Sequence, residues 1–284
     1  MARFVGKRRP ARAWNIRNKS GTKKDRAIFV FKQIRLRMTQ LGIVLRDFLR
    51  AVSFTIARRA RRDKLEKFLQ MRAPDDFFRF SRAEFNVSQN QSEIMAFLEY
   101  AAAEKPVTVC EIGVADGGNS FLLSQAIPTA SFFVGIDLYV RNRLQLRFFS
   151  RYRDAFFLFN SSSTNRNTLE TIRRKFDGRR FDLVFIDGNH HYDAVRDDFL
   201  TYKEMVREDG LIAFHDIVPD RSEKLDPTWE RCSDSVPELW EKLKAVYPSK
   251  EFVESWSQTG CGIGVLRYSA KITLPDLNRP SSGG

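Results

Sequence analysis

The chain has 284 residues, 43% of them hydrophobic and 25 of them phenylalanine, which is enough for one sizeable core with a small appendage and excludes a wholly disordered chain. Its three cysteines, Cys110, Cys232 and Cys261, are odd in number and widely spaced, which argues against a disulfide framework or a CxxC zinc site and suits the reducing cytoplasm. The net charge of +13 is unevenly placed: residues 1–72 hold 22 Lys and Arg against four acids, whereas residues 73–284 hold 26 against 31. Affinity for a polyanion therefore belongs to the first quarter of the chain, not to the rest.

Residues 1–26, rich in Lys and Arg with scattered Pro, Gly, Ser and Asn, read as a disordered basic tail. Residues 27–72 read as a basic, amphipathic helical arm. Leu41, Val44, Leu45, Phe48, Val52 and Ile56 recur at three- and four-residue steps, with Arg46, Asp47 and Arg50 between them. No run reaches about 18 uninterrupted apolar residues, so a transmembrane span is not expected, and no apolar block near the start suggests a secretory signal. Several uses of the arm stay open. It could pack on the body, lie on an anionic membrane at its inner face, or contact nucleic acid, and its Arg-rich, acid-poor composition is shared with mitochondrial transit peptides.

The body, residues 73–268, opens with a predicted helix. Ser88 and Gln91 fit a capping box, Ile94, Met95, Leu98 and Ala101 form its apolar stripe, and Pro106 ends it. Strand-like runs follow at Val107–Ile112, Ser131–Asp137, Ala155–Asn160, Phe181–Asp187 and Leu211–Asp216. Helical stretches fall between them, near 118–127, 141–152, 165–176 and 192–207. A helix near 236–246 and strands at Phe252–Trp256 and Gly262–Arg267 close the body, and residues 269–284 read as a flexible C-terminal tail. The strands are nearly all apolar, as parallel strands buried on both faces must be, so the prediction is a doubly wound α/β fold of Rossmann type.

In such a sheet ligands bind beyond the carboxyl ends of the strands. Glu111-Ile112-Gly113, Asp137, Asp187 and His215-Asp216 end predicted strands, and His190, His191 and His215 are the only histidines in the chain. Three histidines beside two terminal aspartates point to a site more readily than to packing. Gly113, Gly117 and Gly118 would let backbone approach a ligand, but E-x-G-x-x-x-G is not the dinucleotide fingerprint. Asp116 in the same turn would repel a phosphate, which favours a cationic ligand. Asp137 could accept hydrogen bonds from both hydroxyls of a ribose.

The stretches CEIGVADGGNS, GIDLY, FDLVFIDGNHHYDAVRDDF, DGLIAFHDI and GCGIGVL, in this order, resemble the class I S-adenosylmethionine-dependent methyltransferases. The nearest branch is that of the cephalosporin hydroxylase-like and macrolide sugar O-methyltransferases. The resemblance covers about residues 85–268 and implies a seven-stranded sheet. It also implies O-methyl transfer to a hydroxyl of a small molecule or glycan. Glu111, Gly113 and Gly117 would shape the pocket for the methionine half of the cofactor, Asp137 would hold its ribose and Ser162 would flank its adenine. Asp187, which also edges that pocket, and Asp216 match positions where metal-dependent relatives bind Mg²⁺ or another divalent cation. His190, with Asp187, matches the catalytic general base. Asn189 and Ile217 depart from that metal pattern.

Three other readings compete. Asp187, Asp216 and one histidine could form the iron site of a metal-dependent hydroxylase or hydrolase on the same sheet. The basic arm suggests an RNA ribose methyltransferase, although nucleic acid is the less favoured partner: no Asp/Asn-Pro-Pro-aromatic turn follows the fourth strand, and Cys110 and Cys261 read as core residues. A non-catalytic, membrane-anchored scaffold is the third. The charged segment around Trp229, after the fifth strand, reads as a substrate-contacting lid.

Overall fold

The computed structural model describes residues 41–56, 58–152, 155–220 and 235–278. The predicted tail over 1–26, the first part of the arm and the Trp229 segment lie outside them. Two compact units divide the chain, Met1–Phe48 and Leu49–Gly284. In the first unit, residues 41–48 are helical and belong to helix α1 (41–56 among the described residues), with Leu41, Leu45 and Phe48 all exposed.

The second unit holds the remainder of α1 and everything after it. Phe54 of α1 packs edge-on against Phe148 at 5.4 Å, and Phe68 of α2 (Arg58–Gln70) meets Phe149 at 5.3 Å. Helix α3 (Pro74–Phe85) opens with Pro at its first position. Asp76 in its first turn accepts the N–H groups of Arg72 and Ala73, satisfying donors a helix start leaves free. Helix α4 (Gln91–Ala103) does not use the predicted capping box. Asn90 is its N-cap without a side-chain bond, and Gln91 reaches Asp75 instead. The cause is long-range: the segment before α4 runs over the sheet, where Gln89 is buried and tied to Asp187.

Strands and helices then alternate: β1 (Thr108–Ile112), α5 (Gly118–Ala126), β2 (Phe132–Asp137), α6 (Arg143–Phe149), β3 (Phe156–Asn160), α7 (Arg166–Phe176), β4 (Phe181–Ile186), α8 (Tyr192–Lys203), β5 (Val206–His215), α9 (Ser235–Lys244), β6 (Ser249–Phe252) and β7 (Ile263–Arg267). The seven strands lie in the order β3-β2-β1-β4-β5-β7-β6; β7 is antiparallel to both its neighbours, and the other pairs are parallel. This is the expected doubly wound sheet.

Adjacent strand residues point to opposite faces, and both faces are covered. Val109, Leu183, Phe185 and Leu211 pack toward α3–α6, whereas Cys110, Val184, Ile186 and Ile212 pack toward α7–α9. That two-sided burial is why the strands read as unbroken apolar runs.

Several boundaries differ from expectation. Strand β5 begins at Val206, inside the helix predicted near 192–207 and before the predicted start at Leu211. The predicted strand at 252–256 ends at Phe252, because buried Glu93 of α4 accepts the N–H groups of Glu254 and Gly262 and pulls the chain into a turn. Part of the predicted flexible tail is packed: Ile272 and Leu274 lie against the α7–α9 core, and Leu277 is buried there. No helix among the described residues is long and apolar enough to cross a membrane.

Candidate active site

The sheet order reverses between β1 and β4, and the crevice at their carboxyl ends is where an open α/β sheet receives ligands. A cleft of about 570 Å³ opens there. Gly113, Asp137, Leu138, Ser162, Asp187 and Asp198 contribute to its walls. Asp137 ends β2 with its carboxylate fixed: Oδ2 accepts the N–H of Ala115 at 2.9 Å and Oδ1 that of Tyr139 at 2.8 Å. Each oxygen keeps a further lone pair for a ligand hydroxyl.

Gly113 has φ +93°, and a Cβ there would stand 1.8 Å from the carbonyl oxygen of Asp187. Glycine is needed so that the ends of β1 and β4 can close together. Gly117 has the same φ, and a Cβ on it would meet Leu146 of α6 at 2.3 Å. Its task is to seat α5 against α6, and it lies off the cleft wall. Ala115, Asp216 and Cys261 also take left-handed backbone, at φ 47°, 60° and 61°. Such strain in side-chain-bearing residues gathers at functional sites.

Glu111 is fully buried and does not line the cleft. It faces α5, accepting Asn119 Nδ2–H at 3.0 Å and the hydroxyl of Ser120. Burial pushes its carboxyl up to about 8 against those hydrogen bonds. It therefore supports the glycine turn from beneath. Asp116 is not a free acid: Arg141 stands 3.3 Å and Arg50 3.6 Å from its carboxylate. The turn's negative charge is offset, which removes the predicted preference for a cationic ligand at that point. Ser162 lies in the cleft wall and shares a hydrogen bond with Thr164.

At the ends of β4 and β5, two acids and two imidazoles converge. His215 Nδ1 lies 3.2 Å from Asp187 Oδ1 and 3.3 Å from Asp216 Oδ1. His190 Nδ1 lies 3.2 Å from Asp216 Oδ2, and its Nε2 is 3.7 Å from Asp187 Oδ1. Gln89 donates to Asp187 Oδ2 at 2.8 Å, and the N–H of Cys261 donates to Asp216 Oδ1 at 3.0 Å. Burial would raise both aspartates, but the adjacent imidazoles outweigh it and hold each carboxyl below its usual range. Conversely, the hydrogen bond to Asp187 raises His190, and the two carboxylates raise His215 well above its ordinary value despite burial. Ligand atoms of Asp187, His190 and Asp216 all lie within 4.8 Å of one another. Two ionised carboxylates and an imidazole at this spacing suit a divalent cation. His191 is the N-cap of α8 and stands outside this cluster.

Sequence reasoning missed four residues of the site. Gln89 orients Asp187 from a segment read as a helix cap. Leu138, directly after Asp137, stands 78% exposed at the cleft lip. Cys261, expected in the core, is only half-buried and holds Asp216 through its backbone. Asp198 of α8 lies in the cleft wall, buried, with its carboxyl pushed up to about 6 by burial and accepting the hydroxyl of Ser163.

Residues 110–217, from β1 to just past Asp216, match a family model described as a methyltransferase domain. No curated protein matches the chain. Among solved structures it is similar to cofactor-bound Rv0187 from MTB, at 15% identity and a TM-score of 0.51, over 72% of this chain and 94% of that one. It is also similar to the O-methyltransferase TomG from Streptomyces achromogenes in complex with SAM, at 15% identity and a TM-score of 0.49, over 70% and 92% of the two chains. From β1 through the acid cluster, the chain thus matches a methyltransferase-domain model, and its seven-stranded sheet shares the fold of the cofactor-bound Rv0187 structure.

Proposed function

We propose that the protein transfers the methyl group of S-adenosylmethionine to a hydroxyl of a small molecule or glycan. The observation that carries this reading is the meeting of Asp187, His190 and Asp216 at the ends of β4 and β5, with Asp187 reaching the cleft that also holds Asp137. Asp137 would accept the ribose hydroxyls, Gly113 would let the methionine half approach β1, and Leu138 and Ser162 would border the adenine.

The donor set of Asp187 and Asp216 fits a divalent cation. Such a cation, when bound, would lower the pKa of an acceptor hydroxyl and orient it. Gln89 and Cys261 hold the two carboxylates in place from either side. His190, 42% exposed at the side chain, is the reachable imidazole and would take the hydroxyl proton as oxygen attacks the methyl group. Its carboxylate neighbours favour the imidazolium, so it can act as a base only once their charge is offset. His215 is too buried to meet an acceptor and serves to align both acids.

Calorimetric titration of the full-length chain with S-adenosylmethionine tests the reading. Micromolar binding, lost in Asp137→Ala, supports it, and absence of binding overturns it. A separate Mn²⁺ titration, followed by electron spin resonance, should show one bound ion in the parent and none in Asp216→Ala. An unchanged signal in the variant removes the metal from the proposal while leaving methyl transfer standing.

A further inference from the structure

We infer that helix α1 anchors the protein to a bilayer rich in anionic lipid, with its apolar stripe in the interface and the arm's basic side chains among the headgroups. Leu41, Val44, Leu45 and Phe48 follow one another at helical steps of three and four, so they share one side of α1. Their exposures are 64%, 43%, 55% and 62%. Large apolar side chains gathered in this way mark an interaction surface more often than an ordinary soluble one. Within the second unit, the rest of α1 meets the body through Arg50, on Asp116, and Phe54, on Phe148. Leu49 and Ile56 remain 55% and 73% exposed there, so that docking does not use up the helix's apolar residues.

Charge selects the partner. Residues 1–72 carry 22 Lys and Arg against four acids, and each basic side chain near an anionic leaflet adds attraction. Nucleic acid would satisfy the basic side chains but offers no apolar layer to Leu41 and Phe48. A second copy of the chain would cover the stripe but bring two strongly positive arms together. An anionic bilayer answers both the stripe and the charge, and interfacial binding needs no transmembrane length. The inference rests on α1 and the charge of the arm, and stands or falls independently of the catalytic reading.

Flotation of the full-length chain with phosphatidylglycerol–phosphatidylcholine vesicles tests it. The chain should rise with these vesicles and not with pure phosphatidylcholine. Combining Leu41→Ser, Leu45→Ser and Phe48→Ser should weaken the partition by more than about tenfold, because apolar burial is lost while the charge is kept. If that variant misfolds, Phe48→Trp carries the test: its added fluorescence should be quenched by brominated acyl chains. Failure to float, flotation undiminished in the triple variant, or no quenching of Phe48→Trp would each overturn the inference. Retention of RNA without flotation would assign the arm to nucleic acid, and a dimer abolished by the triple substitution would assign the stripe to a second copy.

Discussion

A carboxyl group sealed beneath a helix should make this protein lose stability as pH rises through neutrality. Glu111 sits on β1 under α5, fully buried, with its pKa raised from 4.5 to about 8 by burial. Between those two values the folded chain keeps a proton that the unfolded chain has released. Stability from this group is therefore complete below about pH 4.5, falls by about 1.4 kcal/mol per pH unit, and has dropped by about 5 kcal/mol once pH passes 8. Glu111→Gln removes the titration while retaining a side chain that can bond Asn119 and Ser120. Urea unfolding of parent and variant at pH 5.5 and pH 8, followed by tryptophan fluorescence, isolates the term. The difference between the two proteins should move by about 3 kcal/mol in the variant's favour, roughly 1 M in the urea midpoint. Groups common to both proteins, including the raised histidines, cancel in that comparison. A difference that does not change with pH would mean that Glu111 is ionised in the folded state, and would refute the assignment of burial as the dominant force.

The other expectations concern the cleft. Gly113→Ala places a Cβ against the Asp187 carbonyl oxygen at left-handed φ, and should cost about 3 kcal/mol or more in thermal or urea unfolding; a neutral outcome would mean β1 and β4 can part without penalty. His190→Ala should lower turnover by about 10²-fold or more, with cofactor affinity in calorimetry nearly unchanged, since His190 is not part of the cleft wall. Equal losses in binding and turnover would reassign it to the cofactor pocket. Asp198→Asn should gain stability relative to the parent as pH rises from about 4 to about 6, and level off above that, because burial raises this carboxyl and the folded parent resists its ionisation in that window. A parallel pH profile for the two proteins would contradict that.

How much of this was legible in the sequence depended on how far each residue's role reached. Strands buried on both faces show themselves locally, because every position must be apolar, and the acids that end them stand out against those runs. Asp137, Asp187 and Asp216 were visible for that reason, and His190 because the chain's three histidines fall beside two of those ends. Glu111 and Asp116 look alike in sequence, two acids flanking a glycine turn, but their surroundings come from elsewhere. Glu111 is capped by α5, whereas Asp116 is neutralised by Arg141 and by Arg50, which lies 66 positions earlier in the chain. Ser88 and Gln91 satisfied a local helix-start pattern that lost to a tertiary contact, the reach of Gln89 to Asp187. Such roles depend on partners that no local pattern names.

Asp198 is a different case, because its signal was local and went unread. Val195, Phe199 and Tyr202 recur at helical spacing and define the buried face of α8; Asp198, three residues after Val195, falls on that face, whereas neighbouring Asp197 does not. A carboxylate set among apolar residues on a helix's inner face is costly to bury, so its presence there needs a reason other than packing. The structure supplies one, in the Ser163 hydroxyl it accepts and the cleft it borders. The same helical arithmetic that identifies the core of α8 therefore also identifies the acid that interrupts it. Such an acid marks a position with a polar task, which for Asp198 is at the cleft and for Glu93 of α4 is the turn after β6.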